Sequence, residues 1–154
     1  MKSNSMLATE KMLDVINILL DEQRPDFLFP KILEVVQDVL HADAAVLDIA
    51  GEKPLHLTRP ENVSISISAI RLAKTENKAV VWNQLDDDSV DLSKSIVQNQ
   101  LTSIMVSPFR TPDSESGYLY LQRAAREEPF TEDDSKLFDA FVGVCEKFAF
   151  AAFD

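Results

Sequence analysis

Cysteine and glycine are scarce in this sequence of 154 residues, and both shortages exclude kinds of protein. The single cysteine, Cys145, rules out an internal disulfide, so packing alone must hold the fold together. The three glycines, Gly51, Gly117 and Gly143, are scattered along the chain. A phosphate-binding loop or a dinucleotide-binding fingerprint needs clustered glycines, so both are excluded.

Positive charge is also in short supply. Lys and Arg number 15 against 26 Asp and Glu, which gives a net charge of −11. Nucleic-acid affinity depends largely on Lys and Arg that neutralise phosphates, so we expect no direct contact with DNA or RNA. Anionic membrane surfaces are disfavoured for the same reason.

Long apolar runs and targeting patterns are missing too. No uninterrupted apolar stretch approaches the roughly 18–20 residues that span a bilayer. The N-terminus lacks the basic region, apolar region and cleavage site of a signal peptide. We therefore expect a cytoplasmic protein without a membrane-bound part.

The residue types that ligate metals do not form a site pattern. His41 and His56 are the only histidines, and without a Cys/His cluster of ligand spacing they favour surface or capping roles over a metal or haem pair. The acidic stretch 86–91 lacks the alternation and the glycine of an EF-hand loop, so a solvated loop is favoured over a cation site. We predict no metal and no cofactor.

Hydrophobic periodicity predicts one domain over 1–154 with helices near both ends. The first helix lies within 1–25, and a second is capped by Asp26 and carries Pro30 near its first turn. The last helix occupies 131–154, where Thr131 and Asp134 have the spacing of a capping box. A further helix begins at the N-cap Ser66 and ends at a left-handed Asn77, and a short one is expected at 93–100. Strands are predicted at 44–49, 55–58, 79–82, 102–109 and 117–121. The order favours an α+β fold, an α/β sandwich with a central, mainly antiparallel sheet and the terminal helices packed on one face.

Three blocks of this sequence resemble GAF domains. Residues 66–82, SISAIRLAKTENKAVVW, look like the family's capped helix, turn and strand. Residues 95–109, SIVQNQLTSIMVSPF, resemble its short helix and the following strand, which ends in a proline and an aliphatic residue. GYLYL at 117–121 resembles its strand of the pattern Gly, aliphatic, Leu, Tyr, Leu, and PFTEDD at 129–134 resembles the Phe, Thr, Glu, x, Asp that follows it. The blocks cover about half the chain. Within the family they resemble the GAF domains of bacterial enhancer-binding activators, or those found beside forkhead-associated domains.

The resemblance implies a sensory or regulatory module, and the departures from the family pattern remove specific activities. Gln122 stands where members often have Asp, and Asn77-Lys78 lacks the remainder of the cyclic-nucleotide signature. Cys145 lies in the last helix, away from the position that attaches bilin pigments. GAF-type methionine sulfoxide reductases use several cysteines, and one cannot complete that redox cycle. We therefore predict that the chain is not an enzyme.

A small-molecule pocket is predicted over the sheet, because Tyr and Trp combine an apolar body with a polar group. The alternative is that the same side chains are plain core on alternating strand faces, which is favoured for Met105 and Tyr118. The acidic loop that contains Asp87 could act as a lid. The candidate residues are Trp82, Asp87, Ser95, Ile96, Met105, Tyr118 and Tyr120.

The last helix carries apolar residues on more than one face, so a surplus remains after one stripe packs on the sheet. We predict a homodimer built from the first and last helices, with Gly143 allowing close helix approach. The alternative is a helix buried inside the monomer under the N-terminal helix. The predicted interface residues are Leu13, Ile16, Leu20, Phe141, Cys145 and Phe148.

Two functions follow as hypotheses. The first is a non-catalytic sensor that binds an unknown small ligand and signals through its terminal helices to an effector, such as a transcription regulator, that is not in this chain. The second is a purely structural dimerisation or protein-interaction module, whose pocket is filled by its own side chains. A closed core in place of a cavity would favour the second.

Overall fold

The computed structural model describes Glu10, Leu13, Asn17 and residues 25–49, 55–61, 65–83, 101–111, 114–124 and 128–153. The helices are α1 (Pro25–Val39), α2 (Ile67–Glu76) and α3 (Glu132–Phe153). The strands are β1 (Ala44–Ile49), β2 (Leu55–Arg59), β3 (Val80–Asn83), β4 (Leu101–Thr111) and β5 (Ser114–Ala124). Glu10, Leu13 and Asn17 are helical, as predicted, while the rest of the first predicted helix and the short helix at 93–100 lie outside the described residues.

The five strands form one sheet in the order β2-β1-β5-β4-β3, and every neighbouring pair is antiparallel. The long strands β4 and β5 form the centre. The register sets Val46 beside Tyr120 and Tyr120 beside Val106. This sheet confirms the predicted α+β architecture.

The two faces of the sheet carry separate apolar layers, because successive strand residues point to opposite sides. One face packs under α1 and α3, around Leu47, Met105, Leu119 and Phe138. The other packs under α2, around Val46, Ile104 and Tyr120. Among the described elements, α1 and α3 therefore share one face and α2 covers the opposite one, while the place of the first predicted helix stays a prediction.

The ends of α2 and α3 form as the local sequence predicts. The Ser66 hydroxyl accepts from the Ala69 N–H at 3.2 Å, and Asn77 ends α2 with a left-handed φ of 54°. Thr131 and Asp134 form a reciprocal capping box, with N–H to side-chain oxygen distances of 2.8 and 3.1 Å. These caps satisfy backbone groups that the helix ends would otherwise leave unpaired.

Two prolines lie deeper inside their elements than the sequence predicts. The described part of α1 begins at Pro25, so Asp26 does not cap it and Pro30 is interior. Pro108 does not stop β4, which continues to Thr111. Among the described residues no strand pairs with β4 at Pro108 on the β3 side, since β3 pairs no farther along β4 than Val106. A missing N–H costs nothing at such an unpaired edge, which explains why the strand tolerates proline.

Candidate functional site

The described pocket candidates divide between the two faces of the sheet. Trp82, Tyr118 and Tyr120 belong to the layer under α2. Met105 belongs to the opposite layer and has no exposed surface, so it cannot line a common pocket with the other three. The physical reason is alternation: Ile104, not Met105, pairs with Trp82. Asp87, Ser95 and Ile96 lie outside the described residues.

Tyr120 is the centre of a buried polar cluster on the α2 face. Its hydroxyl accepts a hydrogen bond from the Ser66 backbone N–H at 3.1 Å and donates to Gln122 Oε1 at 2.9 Å. Burial raises the pKa of Tyr120 far above its ordinary value, and the Ser66 hydrogen bond offsets part of that increase. Gln122, which departs from the Asp of many GAF sequences, is buried and serves here as the acceptor. The cluster joins the centre of the sheet to the first turn of α2.

Tyr118 lies two residues earlier on the same face, in a different environment. Burial first, and then the nearby Asp48 carboxylate, raise the pKa of Tyr118 to about 12. The Lys74 ammonium lies 5.3 Å from the ring centroid. Asp48 itself pairs with His56 across the strands, at 2.8 Å from carboxylate oxygen to Nδ1.

Alkaline titration should show both tyrosines ionising late. The chain has two tyrosines, and both folded-state pKa values are raised above 10.0. Above pH 10 the unfolded state loses phenolic protons that the folded state keeps, so stability falls as pH rises from there. We expect phenolate absorbance to stay absent at pH 10 and to appear together with the loss of native Trp82 fluorescence. A phenolate signal from one tyrosine near pH 10 in the folded protein would contradict this.

The C-terminal end of α2 connects to α3 through Arg110. The Arg110 guanidinium donates to the Asn77 side-chain oxygen, at the cap of α2. The Arg110 backbone N–H donates to Glu146 Oε2 on α3 at 2.7 Å. The Glu146 carboxylate thus satisfies a backbone N–H on the edge of β4 beyond the end of β3, through a charge-assisted hydrogen bond. Sequence analysis missed both Arg110 and Glu146, because their partners lie more than 30 positions away.

The predicted dimer interface needs correction at two positions. Phe141 and Cys145 have 1% and 0% of their surface exposed and belong to the layer under α1, so they pack within the chain itself. This face of the last helix is buried inside the monomer, as the alternative expected, but among the described elements it packs with α1, and its predicted cover by the N-terminal helix stays a prediction. Leu13 is 55% exposed and is available to a partner. Ile16, Leu20 and the side chain of Phe148 lie outside the described part.

Close packing against another helix of the described chain does not account for Gly143. A Cβ built at this position would meet no heavy atom within 4 Å. The predicted role of Gly143, to allow a partner's helix to approach, stays a prediction. The glycine borders an open pocket next to β4.

The described residues show neither a metal group nor a membrane-spanning helix. Within those residues no three His, Cys, Asp or Glu side chains come together as metal ligands. None of the helices in the described ranges is long and apolar enough to cross a bilayer.

Comparison of the structure with solved structures finds GAF domains. No protein-family model and no curated protein matches the sequence. The GAF domain of a phosphoenolpyruvate-protein phosphotransferase from Coxiella burnetii superposes with a TM-score of 0.69 at 12% identity, covering 93% of both chains. The GAF domain of a sensor histidine kinase from Bacillus halodurans gives 0.58 at 14% identity, covering 83% of this chain and 95% of that one.

An enzyme is also among the similar structures. Free methionine-R-sulfoxide reductase from Neisseria meningitidis, solved in complex with its substrate, superposes with a TM-score of 0.72 at 14% identity. The match covers 99% of this chain and 94% of that chain. Sequence identities this low are evidence about the fold alone. With its antiparallel sheet in the order β2-β1-β5-β4-β3 and its helices on both faces, the chain has the GAF fold.

Proposed function

We propose that this chain is a non-catalytic sensory or regulatory domain of the cytoplasm. In this proposal an unknown small ligand binds over the α2 face of the sheet, and the terminal helices pass the change to an effector that is not in this chain. A transcription regulator is one such effector. The sensor kinase domain among the similar structures supports the general class of function.

One observation carries the proposal: hydrogen bonds join the centre of the sheet to α3 by way of α2. Tyr120 holds the backbone N–H of Ser66 at the start of α2. Asn77 at the other end of α2 accepts from Arg110, whose backbone N–H is held by Glu146. A ligand that displaced Tyr120 would disturb the start of α2, and a rigid helix can carry that disturbance to its other end.

Hydrogen exchange of a Tyr120→Phe variant tests this connection. The substitution removes the hydroxyl that serves Ser66 and Gln122, and leaves two buried polar groups unpaired, at a cost of about 1–3 kcal/mol. We expect faster exchange in the first turn of α2 and also in residues 142–147 of α3. The increase in α3 should be at least about threefold beyond the general loss of stability, a coupling of typical size.

Two controls make the measurement specific. Val46→Ala removes buried volume beside Tyr120 on the same face but touches none of these hydrogen bonds, so it reports general destabilisation. Tyr118→Phe removes a hydroxyl that has no hydrogen-bond partner among the described residues and should leave α3 unchanged. If Tyr120→Phe and Val46→Ala affect α3 equally at matched stability, the proposed communication is absent.

The absence of catalysis is part of the proposal and is supported by the chemistry of the only thiol. Cys145 has no exposed surface, and burial together with Glu146 raises its thiol pKa well above the ordinary value. A buried neutral thiol is a poor nucleophile, since the thiolate is the reactive form. Cys145 therefore does not supply the redox chemistry of a sulfoxide reductase.

A structural dimerisation module remains the second candidate, because the α2 face is filled by its own side chains. Trp82 and Tyr118 are each 7% exposed and Tyr120 is fully buried. Light scattering with native mass spectrometry on the same sample distinguishes the two candidates. A dimer that carries a co-purified small molecule supports the sensor, and an empty dimer supports the structural module.

A further inference from the structure

A polar cavity of about 180 Å³ lies between α3 and the part of β4 beyond the end of β3, and Trp82, Tyr118 and Tyr120 do not line it. The turn after α2 forms one wall, with Asn77 and Lys78. Arg110 on β4 lies between that turn and the outer surface of α3. The cavity therefore stands at the point where the hydrogen bonds from α2 reach α3.

The two walls carry opposite charges. Lys78 and Arg110 supply cations, while Asp139 and Glu146 on α3 supply carboxylates. Arg110 uses one guanidinium donor on Asn77, and the remaining donors of its planar head group are available. Lys78 is well exposed and lies 3.6 Å from Glu76, an arrangement that contributes little on a surface.

Asp139 is the carboxylate without a partner. No hydrogen bond or ion pair reaches it from the rest of the described chain. Asp139 is largely exposed, and its partial burial raises the pKa of the carboxyl, a small cost to its charged form. A bound ammonium group would offset that cost.

Gly143 keeps the cavity open. It lies on α3 between Asp139 and Glu146, and a Cβ there would meet nothing within 4 Å. Glycine in the interior of a helix costs about 1 kcal/mol relative to alanine, and packing does not explain its presence here. The missing side chain leaves the volume between the two carboxylates free.

We propose that this cavity binds a small zwitterion of the amino-acid class, with its carboxylate toward Arg110 and Lys78 and its ammonium toward Asp139 and Glu146. A zwitterion carries both charges that the two walls can pair, and the volume of about 180 Å³ limits the ligand to a small molecule. The site is separate from the ligand face proposed above. It would act on the same helix, because Glu146 also holds the β4 edge.

An NMR titration with glycine and L-serine tests the proposal, following the amide signals of Asn77 and Gly143. We expect saturable shifts, and binding at least about tenfold weaker for acetate and for methylammonium, which each carry one of the two charges. Asp139→Asn should weaken L-serine binding and leave the weak response to acetate unchanged. Asp139 is exposed, so this substitution leaves the fold intact.

Two substitutions at Gly143 provide the structural control. Gly143→Leu should fill the cavity and abolish the shifts, whereas Gly143→Ala should retain them. Unchanged L-serine binding in Gly143→Leu would overturn the proposal, as would equal responses to acetate and L-serine or no saturable response to either amino acid. These outcomes are independent of the hydrogen-exchange test, which uses no ligand.

Discussion

Replacing Gly117 by alanine should destabilise the protein by about 3 kcal/mol or more, the upper end of the cost of overpacking. Gly117 lies in β5, between β1 and β4 at the centre of the sheet. A Cβ at this position would lie 2.5 Å from the Asp48 carbonyl oxygen and 2.7 Å from that of Phe109. Both obstacles are backbone atoms of neighbouring strands, so relief requires movement of a strand rather than of a flexible side chain.

Gly143→Ala is the matched control for that substitution. It adds the same methyl group where nothing lies within 4 Å, and it replaces glycine within a helix. We expect unchanged or improved stability, by up to about 1 kcal/mol. Urea unfolding followed by the fluorescence of Trp82, the only tryptophan, measures both variants. Equal stability of Gly117→Ala and the parent would mean that the strands do not approach as closely as described.

Loss of the Arg123 side chain should cost about 3 kcal/mol, a value typical of removing one member of a buried charged group. Its guanidinium donates to the carbonyl oxygens of Leu40 at 2.6 Å and Glu128 at 3.1 Å. It lies 3.6 Å from the Asp134 carboxylate and stacks on Phe130, 4.2 Å from the ring centroid. Only 11% of the side chain is exposed, so solvent screens these contacts weakly. One residue therefore holds the end of α1, the segment before α3 and the first turn of α3 against β5.

Arg123→Ala and Arg123→Lys together test whether the planar geometry of the guanidinium or its charge accounts for the stabilisation. Lysine keeps the charge but presents one compact ammonium in place of a planar fork, so it should recover less than half of the lost stability. Lys136→Ala breaks an exposed ion pair with Glu132 and should change the free energy of unfolding by less than about 0.5 kcal/mol. If Arg123→Ala unfolds at the same urea concentration as Lys136→Ala, the Arg123 contacts do not stabilise the fold.

Sequence reasoning succeeded where backbone chemistry is local. The caps at Ser66, Asn77 and Thr131 form as predicted, because each depends on groups within a few residues of itself. The strand 44–49 was predicted with its observed bounds, since a short apolar run before a glycine is an unambiguous pattern. The prolines were predicted less well. Pro108 would end a strand paired on both sides, and the pairing of its edge is not a local property.

The candidate site was predicted only in part, because the pairing of strands is not a local property of the sequence. Alternation along one strand tells which residues share a face, but it does not tell which faces of different strands coincide. Trp82, Tyr118 and Tyr120 meet under α2 and Met105 lies on the opposite side only because the register pairs Trp82 with Ile104. The predicted place of Asp87, Ser95 and Ile96 in the pocket stays a prediction.

The sequence by itself determined the caps of α2 and α3 and the bounds of β1, because caps, turns and periodicity act through neighbouring residues. Only the tertiary structure decided that Phe141 and Cys145 face the chain's own core, and that Arg110, Glu146 and Gly143 frame a charged cavity. Those relationships join positions that are distant along the chain, and antiparallel pairing and helix packing bring them together. A surplus of apolar residues on a helix indicates that more than one face of the helix must be buried. Which part of the protein, or which partner, buries each face depends on the fold as a whole.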